Sequence, residues 1–171
     1  AVTAVMDGIA GNLEAATAHV EEARARIGPR PSAVHLVTVV PKLALAMLDA
    51  GRPAVALDLL QRAAEGAQSR FGIAPTTTTV INLGWAALGA GRPEGSFGWF
   101  ARGLHRELAW SPGFAEAAAG LGCAGVALGW AHAPAVLLAS ERLLENSAIQ
   151  LSGSLAEQVA SARREVPWPP D

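Results

Sequence analysis

The stretch AGRPAVALDLLQRA, residues 50–63, returns as AGRPEGSFGWFARG at residues 90–103. An earlier relative, AGNLEAATAHVEEA, occupies residues 10–23, and a weaker fourth copy, WAHAPAVLLASERL, occupies residues 130–143. Gly11, Gly51 and Gly91 are thus spaced by 40 residues, with Ala131 at the next such step. Pro53 and Pro93 share one register, and Pro134 comes one residue late. Self-similarity with a period between about 20 and 50 residues marks an array of stacked structural units.

Each unit reads as helix, tight turn, helix. Gly51 follows Met47-Leu48 and Gly91 follows Ala87-Leu88, places where a left-handed residue just beyond a helix costs glycine no steric strain. Proline two positions later suits the first turn of the next helix, where its missing N–H would have no intrahelical partner. In the second helices, Ala16/Val20/Ala23, Ala56/Leu60/Ala63 and Ser96/Phe100/Gly103 recur at offsets of four and three, which draws one stripe on a helix. In the first helices, Ala44, Gly84 and Ala124 hold equivalent positions, and their small side chains let neighbours approach closely.

The pattern predicts helices over residues 2–10, 13–27, 33–50, 53–69, 77–90, 93–109, 113–129 and 134–146. A final helix over 154–165 is expected to cap the last pair with a charged outer face. Gly28 to Ser32, Ser111 to Gly113 and Ser152-Gly153 are breakers between pairs. The hydroxyls of Thr76 to Thr79 read as the N-cap region of the helix that follows. The expected fold class is all-α: about four stacked antiparallel helix pairs plus a capping helix. They form one helical-repeat domain, residues 1–166, followed by a Pro-rich tail or linker at 167–171.

Composition agrees. Hydrophobic residues make up 51% of the 171-residue chain, enough to build a core. Alanine dominates that fraction while Tyr is absent, which suits close helix packing better than a β-sandwich. A formal charge of −2 shows no basic excess, so direct nucleic-acid contact by this chain is not expected. Cys123 is the only cysteine, which permits no internal disulfide and points to a reducing, cytoplasmic setting. No basic-then-apolar leader opens the chain, and a piece of a longer protein is expected. The uncharged run from Ala117 to Ala131 falls short of the roughly 20 residues that a spanning helix needs. Its Gly125-x-x-x-Gly129 reads as tight packing between soluble helices, and no membrane contact is expected.

The small-residue and Gly-x-Pro pattern resembles the tetratricopeptide repeat superfamily, with Phe100 the best match to its aromatic positions. A period of 40 exceeds that family's usual length of about 34, so longer, degenerate repeats of a tetratricopeptide-like α-solenoid are implied. Residues 133–165, APAVLLASERLLENSAIQLSGSLAEQVASARRE, are similar to the closing segment of actinobacterial LuxR-type large ATP-binding regulators and Streptomyces antibiotic regulatory proteins. The likeness rests on Leu137-Leu138, Ser140-Glu141, Leu143-Leu144 and Ala162-Arg163. Abundant Ala, Gly and Arg also resemble the products of GC-rich bacterial genomes. The resemblance implies a sensor or interaction module of a bacterial transcription regulator; the alternative is a free-standing scaffold for protein–protein interaction. There is no G-x-x-x-x-G-K-[ST] loop and the only lysine is Lys42, so neither ATP hydrolysis nor DNA reading carries over.

Residues suited to chemistry are sparse. Cys123 with His105 or His132 would make a thiol–imidazole pair, but Cys123 falls at a small-residue position inside a helix, where a thiol behaves as a hydrophobe. His19, His35, His105 and His132 are too scattered for metal spacing. No catalytic residue, metal or cofactor is expected, and the chain reads as a binding protein rather than an enzyme. The tetratricopeptide likeness implies that first helices line a concave groove. Its lining would be Thr38, Pro41, Lys42 and Leu45, then Thr78, Ile81, Asn82 and Trp85, then Leu121 and Gly125. Thr38, Lys42, Leu45, Thr78, Asn82 and Trp85 are the candidate binding residues. Trp85 is either an apolar plate beside the Asn82 amide or a core residue. Trp99 and Trp110 read as packing residues. Pro41, Ile81, Leu45 and Trp85 stand where the family's basic-and-Asn carboxylate clamp would be, which disfavours chaperone-tail binding. The expected partner is a protein or peptide, or an apolar small-molecule effector. The Leu-rich ends of an array are able to self-associate, so a homodimer is also anticipated.

Overall fold

The computed structural model describes residues 13–27, 31–107, 111–147 and 150–166. Among them the chain is all-helical, with no strand. Helix α1 spans Leu13–Ile27, a π-helical turn His35–Val39 runs directly into α2 (Val40–Asp49), and α3 spans Pro53–Phe71. Then come α4 (Thr77–Gly89), α5 (Pro93–Arg106), α6 (Pro112–Ala127), α7 (Ala133–Asn146) and α8 (Gly153–Glu165). The expected helix at 2–10, the turn at Gly11, Trp110 and the tail at 167–171 lie outside the described residues.

The repeated tetrapeptide makes the same turn twice. Gly51 has φ 66° and Gly91 has φ 71°. Arg52 N–H donates to Met47 O at 2.8 Å and Gly51 N–H to Leu48 O at 2.9 Å; Arg92 to Ala87 and Gly91 to Leu88 do likewise at 2.9 Å each. This paired bonding satisfies carbonyls that the last helical turn leaves open. A third copy sits where the 40-residue count does not place it. Gly129, with φ 66°, takes the left-handed position, and Trp130 N–H donates to Gly125 O at 2.8 Å. The fourth unit therefore turns at Gly129 rather than at Ala131, because only the glycine accepts that dihedral without strain.

The second and third predicted stripes are buried, as is Val20 of the first, while Ala23 is partly buried. Val20, Ala56, Leu60, Ser96 and Phe100 are all at 0% exposure, as are Ala44 and Ala124. Consecutive helices from α2 to α7 pack against each other, and α2–α4 and α4–α6 also touch. Phe100 marks the tightest place. A Cβ on Gly84 would stand 2.7 Å from its ring, and one on Gly120 would stand 2.2 Å away. Ser96 on the same stripe donates to Gly84 O at 2.9 Å, so the buried hydroxyl is satisfied.

Two features depart from the sequence pattern. The helix expected over 33–50 is regular only from Val40; before it, Val40 N–H reaches back to His35 O. Pro41 explains this, since its ring clashes with the carbonyl four residues back in an α-helix and a wider π turn relieves the clash. The second departure is α8. It reaches beyond the last pair to touch both α6 and α2. Leu155, Val159, Ala162 and Val166, an i, i+4, i+7, i+11 stripe, join the common core. Arg163 also bridges to Glu141 of α7 at 3.1 Å. Among the described residues, no helix is long and apolar enough to cross a membrane.

Gly98 and Gly120 provide an internal control on this packing. A Cβ at Gly98 meets nothing within 4 Å. Gly98→Ala should stabilise the chain by about 0.5–1 kcal/mol through helix propensity, whereas Gly120→Ala should destabilise it by about 1–3 kcal/mol through overpacking. Urea unfolding of the two variants reads the difference, and shifts of the same sign would refute the role given to Phe100.

Candidate functional site

An open cleft of about 300 Å³ lies between the π turn with the start of α2 and the first turns of α4. Its apolar lining comes from Val37, Pro41 and Leu45; its polar lining comes from Thr38, Lys42, Thr76, Thr78, Thr79 and Asn82. Sequence dictates each side. Pro41 widens the turn before α2 and so sets Val37 and Thr38 beside Leu45. On the other side, Thr76 caps α4: its hydroxyl accepts from Thr79 N–H at 3.2 Å and bonds the Thr79 hydroxyl at 2.9 Å. That cap fixes where the first turn of α4 begins and hence where Thr78 and Asn82 stand. Arg106 of α5 donates to Pro75 O at 2.9 Å and ties down the loop leading into the cap.

Of the six candidate binding residues, Thr38, Lys42, Leu45, Thr78 and Asn82 are brought together here. Thr38, Lys42 and Thr78 are exposed to solvent. Asn82 differs: the residue is only 6% exposed, its side-chain amide makes no hydrogen bond to a described residue, and that amide is not among the buried polar atoms left unpartnered. An amide held this way beside a cleft presents both donor and acceptor capacity to whatever enters. A volume of about 300 Å³ is at the small end of ligand pockets, enough for one or two side chains or a compact molecule.

Trp85 does not line the cleft. It is wholly buried, with its ring 5.0 Å from that of Phe100 at 74°. Its indole N–H donates to Glu116 Oε1 at 3.0 Å. Burying the indole while satisfying its N–H is worth more than exposing it as a plate, and the core alternative holds. Ile81 turns the same way, against Gly103. Gly125 is covered by Trp130 and Ala133, so it offers no groove surface either. Trp99 is partly buried, with the Arg102 guanidinium 4.9 Å above its ring.

Two titratable groups lie away from the cleft, Cys123 buried and Glu116 partly buried. Cys123 is 3% exposed, and burial pushes its thiol up to about 12, so it stays protonated at neutral pH. Its sulfur lies 4.0 Å from the Gln158 backbone carbonyl oxygen. Glu116 was not singled out by sequence; its carboxyl is raised above the ordinary 4.5 by desolvation, opposed by the Trp85 N–H. Among the described residues, no three His, Cys, Asp or Glu side chains gather as a metal site would require. No family model, curated protein or solved structure matches the chain.

The raised Glu116 value has a sign that can be tested. A carboxyl that holds its proton more tightly when folded favours the native state most below pH 4.5, and that contribution is lost as pH climbs through the raised value. Glu116→Gln keeps an acceptor for the indole without the charge. It should raise the melting temperature at pH 7 and flatten the stability profile above pH 4.5. Glu116→Ala should instead lose about 1–3 kcal/mol by orphaning a buried N–H. Equal loss in both variants would rule out desolvation as the cause.

Proposed function

We propose that this chain is a binding module, and that the cleft between α2 and α4 receives a short peptide segment or a compact, largely apolar small molecule. The observation that carries this is the convergence of Thr38, Lys42, Leu45, Thr78 and the Asn82 amide on one cleft with an apolar side. A ligand that pairs with the Asn82 amide gains a hydrogen bond worth about 0.5–1.5 kcal/mol net. Val37, Pro41 and Leu45 would take the apolar part of the ligand, while Thr38, Thr78 and Lys42 would fix its polar edge. Orientation by a few polar groups around an apolar body is the usual logic of such sites.

The setting we propose is a tetratricopeptide-like array serving as the receiving module of a bacterial, cytoplasmic transcription regulator of the LuxR-type large ATP-binding kind. The array reading is supported by the repeated Gly turns and by the contacts of α2 with α4 and of α4 with α6. The regulator reading is supported by the Leu-Leu, Ser-Glu, Leu-Leu and Ala-Arg pattern between Ala133 and Glu165. A net charge of −2 fits a module that leaves nucleic-acid contact to other segments.

Asn82→Leu separates a binding role from a structural one. Because Asn82 makes no native hydrogen bond, the change should leave the free chain as stable or raise its stability by about 1 kcal/mol. It should also abolish the melting-temperature rise that cleft ligands, found by screening peptides and apolar metabolites, give with the unaltered chain. Loss of stability together with unchanged ligand shifts would overturn the assignment.

A further inference from the structure

The cleft between α2 and α4 carries one sign of charge. Lys42, the only lysine of the chain, stands on its α2 side and forms no ion pair with a described residue. No carboxylate is among the described residues that line the cleft. Its other side is the N-terminus of α4, a 13-residue helix whose first turn supplies Thr76, Thr78 and Thr79 to the lining. A helix start carries roughly half a positive charge, because its first amides have no carbonyl partner within the helix. In α4 the Thr76 hydroxyl takes only the Thr79 N–H, and Val80 N–H makes the first bond back, to Thr76 O. The N–H groups of Thr77 and Thr78 stay open among the described residues. Arg106 adds a second cation beside this helix start, since its guanidinium donates to Pro75 O.

Asn82, one turn further along α4, points to a ligand independently. The residue is more than nine-tenths buried, yet its side-chain amide has no partner among the described residues and is not among the fully buried polar atoms. The amide therefore reaches open space, and the space that Asn82 lines is the cleft. Taking the cleft as the binding site proposed above, we infer that its ligand is a compact monocarboxylic acid bound as the anion. The carboxylate lies between Lys42 and the first turn of α4, where the Thr77 and Thr78 amides, the Thr78 hydroxyl and the Asn82 amide are its donors. Anions are favoured at such a helix start, and hydrogen bonds to a charged acceptor are stronger than those between neutral groups. The apolar body lies against Val37, Pro41 and Leu45. One lysine in the lining balances one negative charge, whereas a phosphate monoester would press surplus charge against that apolar side.

Hexanoate is the probe, with hexanamide as its uncharged match in shape. In the full, isotope-labelled chain at neutral pH, hexanoate should shift the amide resonances of Thr77, Thr78 and Asn82, and bind about tenfold more tightly than hexanamide. Lys42→Met should cost about fivefold in hexanoate affinity and leave hexanamide unchanged. Thr77→Pro removes one donor at the first helical position, after a residue already extended at φ −66° and ψ 161°. It should keep the melting temperature and weaken hexanoate by about fivefold. N-acetyl-alanyl-leucine, tested beside its C-terminal amide, separates the two sources of a carboxylate: binding tighter than hexanoate identifies a peptide terminus, and weaker binding a free acid. Equal affinity for hexanoate and hexanamide, an unaltered hexanoate affinity in Lys42→Met, or tighter binding of butyl phosphate would overturn the assignment of charge while leaving the cleft a binding site. Absence of any shift with either acid would overturn it too. The cleft reading itself is decided separately, by Asn82→Leu on ligands found in screening.

Discussion

The whole arrangement depends on how closely three helices approach around one aromatic ring. Phe100 projects from α5 into the space that Gly84 of α4 and Gly120 of α6 leave open. Burying such a side chain contributes about 1.5–3 kcal/mol, and the absence of two Cβ atoms is what makes the burial possible. Trp85 then stacks edge-on against that ring and finds Glu116 for its N–H. The same packing that completes the core holds α4 firmly, and a firmly held α4 gives the cleft one rigid wall.

Much of this was legible in the residues. Glycine and proline punctuate the chain so strongly that most helix boundaries follow from them, and the four-and-three stripe on α3 and α5 is buried as the pattern requires. The π turn was legible too, since Pro41 stands inside a run otherwise suited to helix, but counting apolar residues passes over it. What the residues did not reveal is which way α4 faces. Residues Thr79 to Ala87 of that helix are buried without interruption, so there is no polar side from which to take a bearing. Trp85 and Ile81 therefore turn inward while Thr78 and Asn82 reach the cleft. Contacts distant in sequence were equally hidden. An apolar stripe on α8 announces that it packs, but not that its first turn bonds Asp49, 105 residues away.

The cleft and the seam under α8 differ in how polar groups are treated. At the cleft, Asn82 is the unpaired group and open volume lies beside it, which suits a ligand that arrives from solution. Under α8, the unpaired atoms Asp49 Oδ2, Ser152 Oγ and Gln158 Oε1 are covered by a helix already in place. The two sit at opposite ends of α2 and α4. Both helices are anchored in the core by Leu43, Met47, Leu83 and Trp85, all at 0% exposure.

The displaced turn at Gly129 has a bearing on how such a succession of helices can change over time. Each of the turns at Gly51, Gly91 and Gly129 closes on carbonyls only three and five residues before the bonding amides. The joint is self-contained, and it asks nothing of the distance to the previous joint. Units can therefore gain or lose residues elsewhere without spoiling the hinge, and the step from Gly91 to Gly129 is shorter than the one before it. Spacing drifts; joinery stays. A lineage built this way would be expected to keep its corner glycines long after its repeat length had blurred beyond simple counting.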